Sequence, residues 1–419
     1  RDRSTGYQAL TANTTGYENV AIGNQAMYAN TAGSRSIAIG HAALSGNTTQ
    51  FDNIAIGWNA MTAANTGYQN IAVGYQALKA NTAGIYNIGI GQDALGANTT
   101  GVNNVAVGGT ALDANTIGSD QVAIGFSSLG ANTTGTLNTA VGSYTLTNNT
   151  TGSQNSAFGQ GALNANTTGY GNTAVGWNAL VLNTTAYENT AIGREAQRNT
   201  STGAYNTSLG AFALNQMTTA TANVAVGYYS LYSTNGAGNS ALGYQAGFGV
   251  TSGTNNTILG AQAGYSGTNN VTTGANNTLI GYQATASSST ASNVITLGNS
   301  SIATLRCQVT SITALSDERD KKNIQPLTVG LDFVKNLKPV TFDWNMRDGG
   351  KVDIKDAGFI AQDLMAAEDA IDMAETLQLT YRDNPEQLEA TQGRLIPILV
   401  KAIQDLAAQV EELKGQINA

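Results

Sequence analysis

A glycine closing a [Val/Ile]-Ala-[Ile/Val]-Gly step returns every 17 residues along most of the chain. It falls at Gly23, Gly40, Gly57 and so on to Gly227, twelve equal intervals in a row, and then at Gly243, Gly260, Gly281 and Gly298 after 16, 17, 21 and 17 residues. A short period of this kind specifies a solenoid, because each repeat is one coil that buries its apolar side only by stacking on the next. The first three-quarters of the chain is therefore expected to be a rod, mainly β.

One coil, residues 6–22, shows how. Asn19-Val20-Ala21-Ile22 alternates, so Val20 and Ile22 share one face of a short strand while Asn19 and Ala21 share the other. We expect Val20 and Ile22 to enter the coil's core with Leu10 and its equivalents Met27, Leu44, Met61, Leu78 and Leu95. The column Ala21, Ala38, Ala55, Ala72 and Ala106, with Gly89 in one coil, is then expected outside, small enough for another copy of the rod to approach. Asparagines at Asn13, Asn30, Asn47, Asn81, Asn98, Asn132 and Asn166 recur at one phase of an Asn-Thr-Thr/Ala-Gly corner, where stacked amides can bond to their copies above and below.

Charge divides the chain. Residues 1–300 hold 14 Asp, Glu, Lys or Arg and residues 301–419 hold 32, with all four prolines in the second part. The domains expected are a repeat rod over 1–300, a connector over 301–315 and a charged α+β segment over 316–419. A net charge of −8 with no basic stripe excludes a nucleic-acid partner, and no apolar run is long enough for a membrane span. Arg1 begins partway through a repeat, so a longer parent chain with an N-terminal attachment segment is expected. The single Cys307 cannot form an intrachain disulfide, the lone His41 is read as a surface rung, and neither a metal nor a cofactor is expected.

The Asn-Val-Ala-Ile-Gly step resembles the head repeat of trimeric autotransporter adhesins, which implies a left-handed parallel β-roll built from three chains. A second resemblance covers residues 316–419. Ser316-Asp317-Glu318-Arg319-Asp320-Lys321-Lys322-Asn323-Ile324, Gly358-Phe359-Ile360-Ala361-Gln362-Asp363 and Leu395-Ile396-Pro397-Ile398-Leu399-Val400-Lys401-Ala402-Ile403 resemble three signatures of the intramolecular chaperone domain (peptidase family S74) at the ends of bacteriophage tail fibres and tailspikes. That resemblance implies a homotrimer, made in the host cytoplasm and carried on the virion tail, whose end domain directs folding and then cuts itself off once. It makes Ser316 the nucleophile, Lys321 its base with Lys322 as a second choice, Asp317 a supporting group, and Leu315–Ser316 the bond cut. A serine hydroxyl needs a base, and a lysine can serve only from its neutral form.

Ile396, Leu399, Ile403, Leu406, Val410, Leu413 and Ile417 follow at spacings of three and four, a heptad seam over about 395–418. β-branched residues at one seam position and Leu at the other favour two strands; the resemblance implies three, and three is the reading taken. The function expected is a viral tail fibre that binds a host cell-surface receptor, a glycan being one class, and joins other tail proteins through its N-terminal side. A bacterial surface adhesin, a polysaccharide depolymerase and an ice-binding solenoid are the alternatives. Glycoside hydrolysis would need two carboxylates held at a set separation. The rod offers only scattered acids: Glu18, Asp52, Asp93, Asp113, Asp120, Glu188 and Glu195.

Overall fold

The structure, a computed structural model, describes residues 1–265, 267, 270–302, 304–306, 316–347 and 351–417. The chain divides into two compact units, Arg1–Leu297 and Gly298–Ala419. Cys307, Leu315 and most of the expected connector lie outside the described residues.

The first unit is a parallel β-solenoid. Its described residues form eighteen strands of three residues each, from β1 (Arg3–Thr5) and β2 (Val20–Ile22) to β18 (Ile295–Leu297), each paired with the next coil's strand. Register follows the repeat: Val20 pairs with Ile37 and Ile22 with Ile39. The ladder also runs unbroken across the 21-residue coil, where Leu259 pairs with Ile280.

The strand glycines are needed for two reasons. Gly125 has φ +132, and a Cβ there would stand 2.5 Å from the Gly142 carbonyl oxygen of the next coil. No other residue tolerates both the angle and the approach.

The inside of the coil corrects the expectation drawn from alternation. Ala21, Ala38, Ala55, Ala72 and Ala106 are fully buried, whereas Ile22 is 44% exposed and Val20 half-buried. The alanines face in, with Met27, Leu44, Met61, Leu78 and Leu95, and the Val/Ile pairs face out. A 17-residue coil is too narrow to enclose two branched side chains and a Leu at every level, so the strand contributes its smallest residue to the interior. Later coils trade the same volume between columns. Where the Leu position becomes Gly247 or Gly264, the Ala position becomes the buried Ile258 or Leu279. A Cβ on Gly247 would meet Ile258 Cδ1 at 3.0 Å, so the interior is already full.

The Leu column adopts left-handed backbone: φ is 51 at Met27, 55 at Leu44 and 52 at Leu112. A β-branched residue is strained there, and the column carries Leu, Met and once Gln197, but no Val or Ile, from Leu10 to Leu231.

Asparagine satisfies the polar backbone. Asn98 Nδ2 donates to Asn81 Oδ1 at 3.0 Å, Asn115 to Asn98 at 3.0 Å and Asn132 to Asn115 at 2.9 Å, the stacking expected of the corner. A second buried ladder runs through the inward residue before each strand. Asn104 Nδ2 donates to Asn87 Oδ1 at 3.1 Å and to the Gly118 carbonyl at 2.9 Å. One rung breaks the apolar core: Gln197 is fully buried and bonds to Ser208 Oγ, which stands in the Ala column, while its own Oε1 has no partner. The apolar cluster that ends at Ala196 and the one that begins at Ala213 meet across this rung.

The second unit is α+β. It contains α1 (Leu331–Val334), the antiparallel pair β19 (Val340–Asn345) and β20 (Val352–Gly358), α2 (Ala361–Asp369) and α3 (Ala374–Leu377). The short pair β21 (Thr380–Tyr381) and β22 (Glu389–Ala390) follows, and α4 (Leu395–Ile417) ends the unit. Val329, Phe333, Leu364, Leu377, Leu379, Leu395 and Ile398 form its core.

Candidate functional site

The segment from Ser316 folds back on itself within a few residues. Asp317 caps a 3-10 turn over Glu318–Asp320, its carboxylate accepting from the Arg319 backbone N–H at 2.9 Å, and the Lys321 N–H closes the turn on the Glu318 carbonyl at 3.0 Å. This reversal brings Lys321 Nζ to 2.6 Å from Ser316 Oγ and 3.3 Å from the Ser316 carbonyl oxygen. The reaching lysine is Lys321, not Lys322. All of these side chains are exposed.

Asp317 is engaged elsewhere. Its carboxylate takes Arg319 Nε at 3.0 Å and Nη2 at 2.6 Å, a bidentate pair. The Arg319 guanidinium, helped by the backbone N–H, holds the Asp317 carboxyl below the usual carboxylate range. Asp317 therefore shapes the turn that delivers Lys321 and makes its side-chain contact with Arg319. Leu315, the residue on the other side of the expected scissile bond, lies outside the described residues.

The other two motifs build the framework of this unit. Gly358 ends β20 where a Cβ would meet Gln392 Nε2 at 2.9 Å, and Ile360 precedes the first turn of α2. Leu395, Ile398 and Ala402 of α4 are buried, and Asp405 of the same helix accepts from the Leu331 N–H at 3.2 Å. Sequence reasoning missed Glu368. Its carboxylate is wholly buried and accepts from the Leu379 and Thr380 backbone N–H groups, the Thr380 hydroxyl and Arg382 Nη2. The available signal was its place four residues after Leu364, on the inward face of α2.

Among the described residues, the outward face of α4 has no cover within this unit. Ile396, Leu399, Ile403, Leu406, Val410, Leu413 and Ile417 are all exposed, reaching 67% at Ile403 and 81% at Ile417. The helix runs 23 residues, about 34 Å. An apolar stripe of that length, spaced in heptads, is a coiled-coil face.

Of the solenoid's scattered acids, Asp113 has its carboxyl raised by burial and, as a smaller cause, by the charge of Asp93 nearby, and several are held in ion pairs. Asp52 binds Arg35 at 2.7 Å, Asp93 binds Lys79 at 3.1 Å and Glu195 faces Arg198 at 3.6 Å. His41 stacks on Trp58 with ring centres 5.9 Å apart, and Trp58 on Tyr75 at 5.0 Å. No cluster of metal-ligating side chains occurs among the described residues, and no helix there is long and apolar enough to cross a membrane.

Residues 316–375 match the family model Peptidase_S74, described as chaperone of endosialidase. The match begins at Ser316, the residue whose hydroxyl Lys321 contacts. No curated protein and no solved structure matches the chain.

Proposed function

We propose that this chain is a viral tail fibre protein: a trimeric β-solenoid for host attachment whose C-terminal unit assembles three chains and then releases itself by cutting Leu315–Ser316. The observation that carries the reading is the Lys321–Ser316 contact at 2.6 Å, at the first residue of the chaperone-of-endosialidase match. The uncovered heptad face of α4 supports the assembly role.

Lys321, in its neutral form, takes the Ser316 Oγ proton as Oγ adds to the Leu315 carbonyl carbon. The lysine returns that proton to the Ser316 nitrogen as the C–N bond breaks, leaving Leu315 esterified to Oγ. Water then hydrolyses the ester, giving a Leu315 carboxylate and a new chain that begins at Ser316 with a free amine and hydroxyl.

Assembly before cutting solves a problem of self-similarity. Sliding one solenoid by 17 residues against another exchanges each rung for a near twin, so wrong registers cost little. Helices that join three chains at equal ends fix the register first. Removing them afterwards leaves a product that cannot readily reassemble. The host receptor and the tail proteins on the N-terminal side complete the proposed partners.

Intact-mass measurement of purified protein tests the reading. The native chain should yield a fragment ending at Leu315, and Ser316→Ala should yield only full-length chains that still form trimers. Full-length native chain after prolonged incubation as a trimer would refute the self-cleavage.

A further inference from the structure

One column on the outer surface of the strand ladder is apolar from β2 to β18. The third residue of every strand from β2 to β18 is Ile, Val, Leu or, once, Phe158, and neither outer position carries a charge at any of these rungs. The more exposed members of this column run from 37% at Ile192 to 52% at Leu297, while the alanines between the two outer positions are buried. The first residue differs. It is Val or Ile in β2 to β8 and again at Val224 and Ile295, but Thr or Ser at Thr139, Ser156, Thr173, Thr190 and Thr207 and again at Ser240, Thr257 and Thr278.

The dimensions are those of an interface. The seventeen strands from β2 to β18, at about 4.8 Å spacing, span about 80 Å, and three residues give a width of about 10 Å. The whole outer face is then roughly 800 Å², about what each partner buries in a stable complex, with the third-position column apolar throughout it. An aliphatic column offers a sugar or a nucleic acid neither charge nor side-chain hydrogen bonds. Its occupant must be apolar, as long as the solenoid and of the same rung spacing, and a second copy of this chain meets all three conditions.

We infer that the solenoids of separate copies pack through this Ile/Val face, with the third-position column at the centre of the contact. The alanine column, expected from sequence to serve that purpose, is inside the coil and cannot. The inference rests on the proposed function only for the number of copies. The Thr/Ser positions mark where the flanking column is polar, so the central column alone carries the apolar contact from β9 (Thr139–Val141) to β13 (Thr207–Leu209) and from β15 (Ser240–Leu242) to β17 (Thr278–Ile280).

Cross-linking of the full chain tests it, in a Cys307→Ser, Ser316→Ala background that keeps the C-terminal unit attached. Ile90→Cys and Ile124→Cys place thiols in the central column, and Thr134→Cys places one at an exposed corner off the strand face. After a short bismaleimide is added, the two face variants should run mainly as covalent pairs on a denaturing gel, and the Thr134 variant as single chains. Light scattering on the same samples separates the two ideas. A multi-copy particle without links at either rung, or with equal linking at Thr134, overturns the face and leaves the proposed function standing. A single-copy particle overturns both.

Discussion

Replacing Leu112 by Val should cost far more than the methylene it removes. Leu112 is fully buried, has φ 52, and receives the Asn115 N–H on its carbonyl at 3.1 Å. Loss of one buried CH2 costs about 1 kcal/mol. Forcing a β-branched side chain into left-handed backbone adds about 1–2 kcal/mol. The sum is about 2–3 kcal/mol. Leu112→Met, a change the column already accepts at Met27 and Met61, should cost less than about 1.5 kcal/mol. A solenoid opens locally, so hydrogen exchange is the suitable assay, and the reporter is the Leu129 amide, bonded to Thr145 O at 3.0 Å in the neighbouring coil. The Val variant should exchange roughly 30- to 150-fold faster than the native chain, and the Met variant less than about 13-fold. If the Val variant exchanged no faster than the Met variant, backbone conformation would not be what excludes β-branched residues from the column.

Three further outcomes are expected. Gln197→Leu with Ser208→Ala should join the two apolar clusters and raise the thermal midpoint of the solenoid, since it removes a buried carbonyl oxygen that lacks a partner; a lower midpoint would show that this polar rung is stabilising. Arg382→Ala leaves the buried Glu368 with its backbone and Thr380 donors but no cation, and should destabilise the C-terminal unit by about 2 kcal/mol in chemical denaturation. Partial burial, the largest cause, raises the Asp113 carboxyl above the usual range. A raised acid is stabilised in its protonated form, so its contribution is full below the unfolded value and is lost as pH rises through the folded one. Asp113→Asn should therefore melt above the native chain at neutral pH, with the gap closing in acid.

Much of the C-terminal site was legible because its spacing is local. Ser316 and Lys321 are five residues apart, and the turn over Glu318–Asp320 is enough to bring them together. Glu368 was not legible, because its partners Leu379, Thr380 and Arg382 are eleven to fourteen residues away and meet it only once β21 packs against α2. The heptad face of α4 could be read from periodicity alone. Which of its turns would also serve the unit's own core could not, and Leu395, Ile398 and Ala402 do so.

In the solenoid, the 17-residue repeat dictates the ladder. A glycine every 17 residues sets where each strand ends, and matched phases place asparagine on asparagine and strand on strand. Which side of the strand is the inside depends on how the folded coil closes. Alternation divides Val20 and Ile22 from Ala21 but is symmetric between the two faces. The choice came from closing a 17-residue coil around an interior with room for one Leu-sized side chain and the small strand residue at each level. Closure turned the alanines inward and left the branched side chains on the outer face.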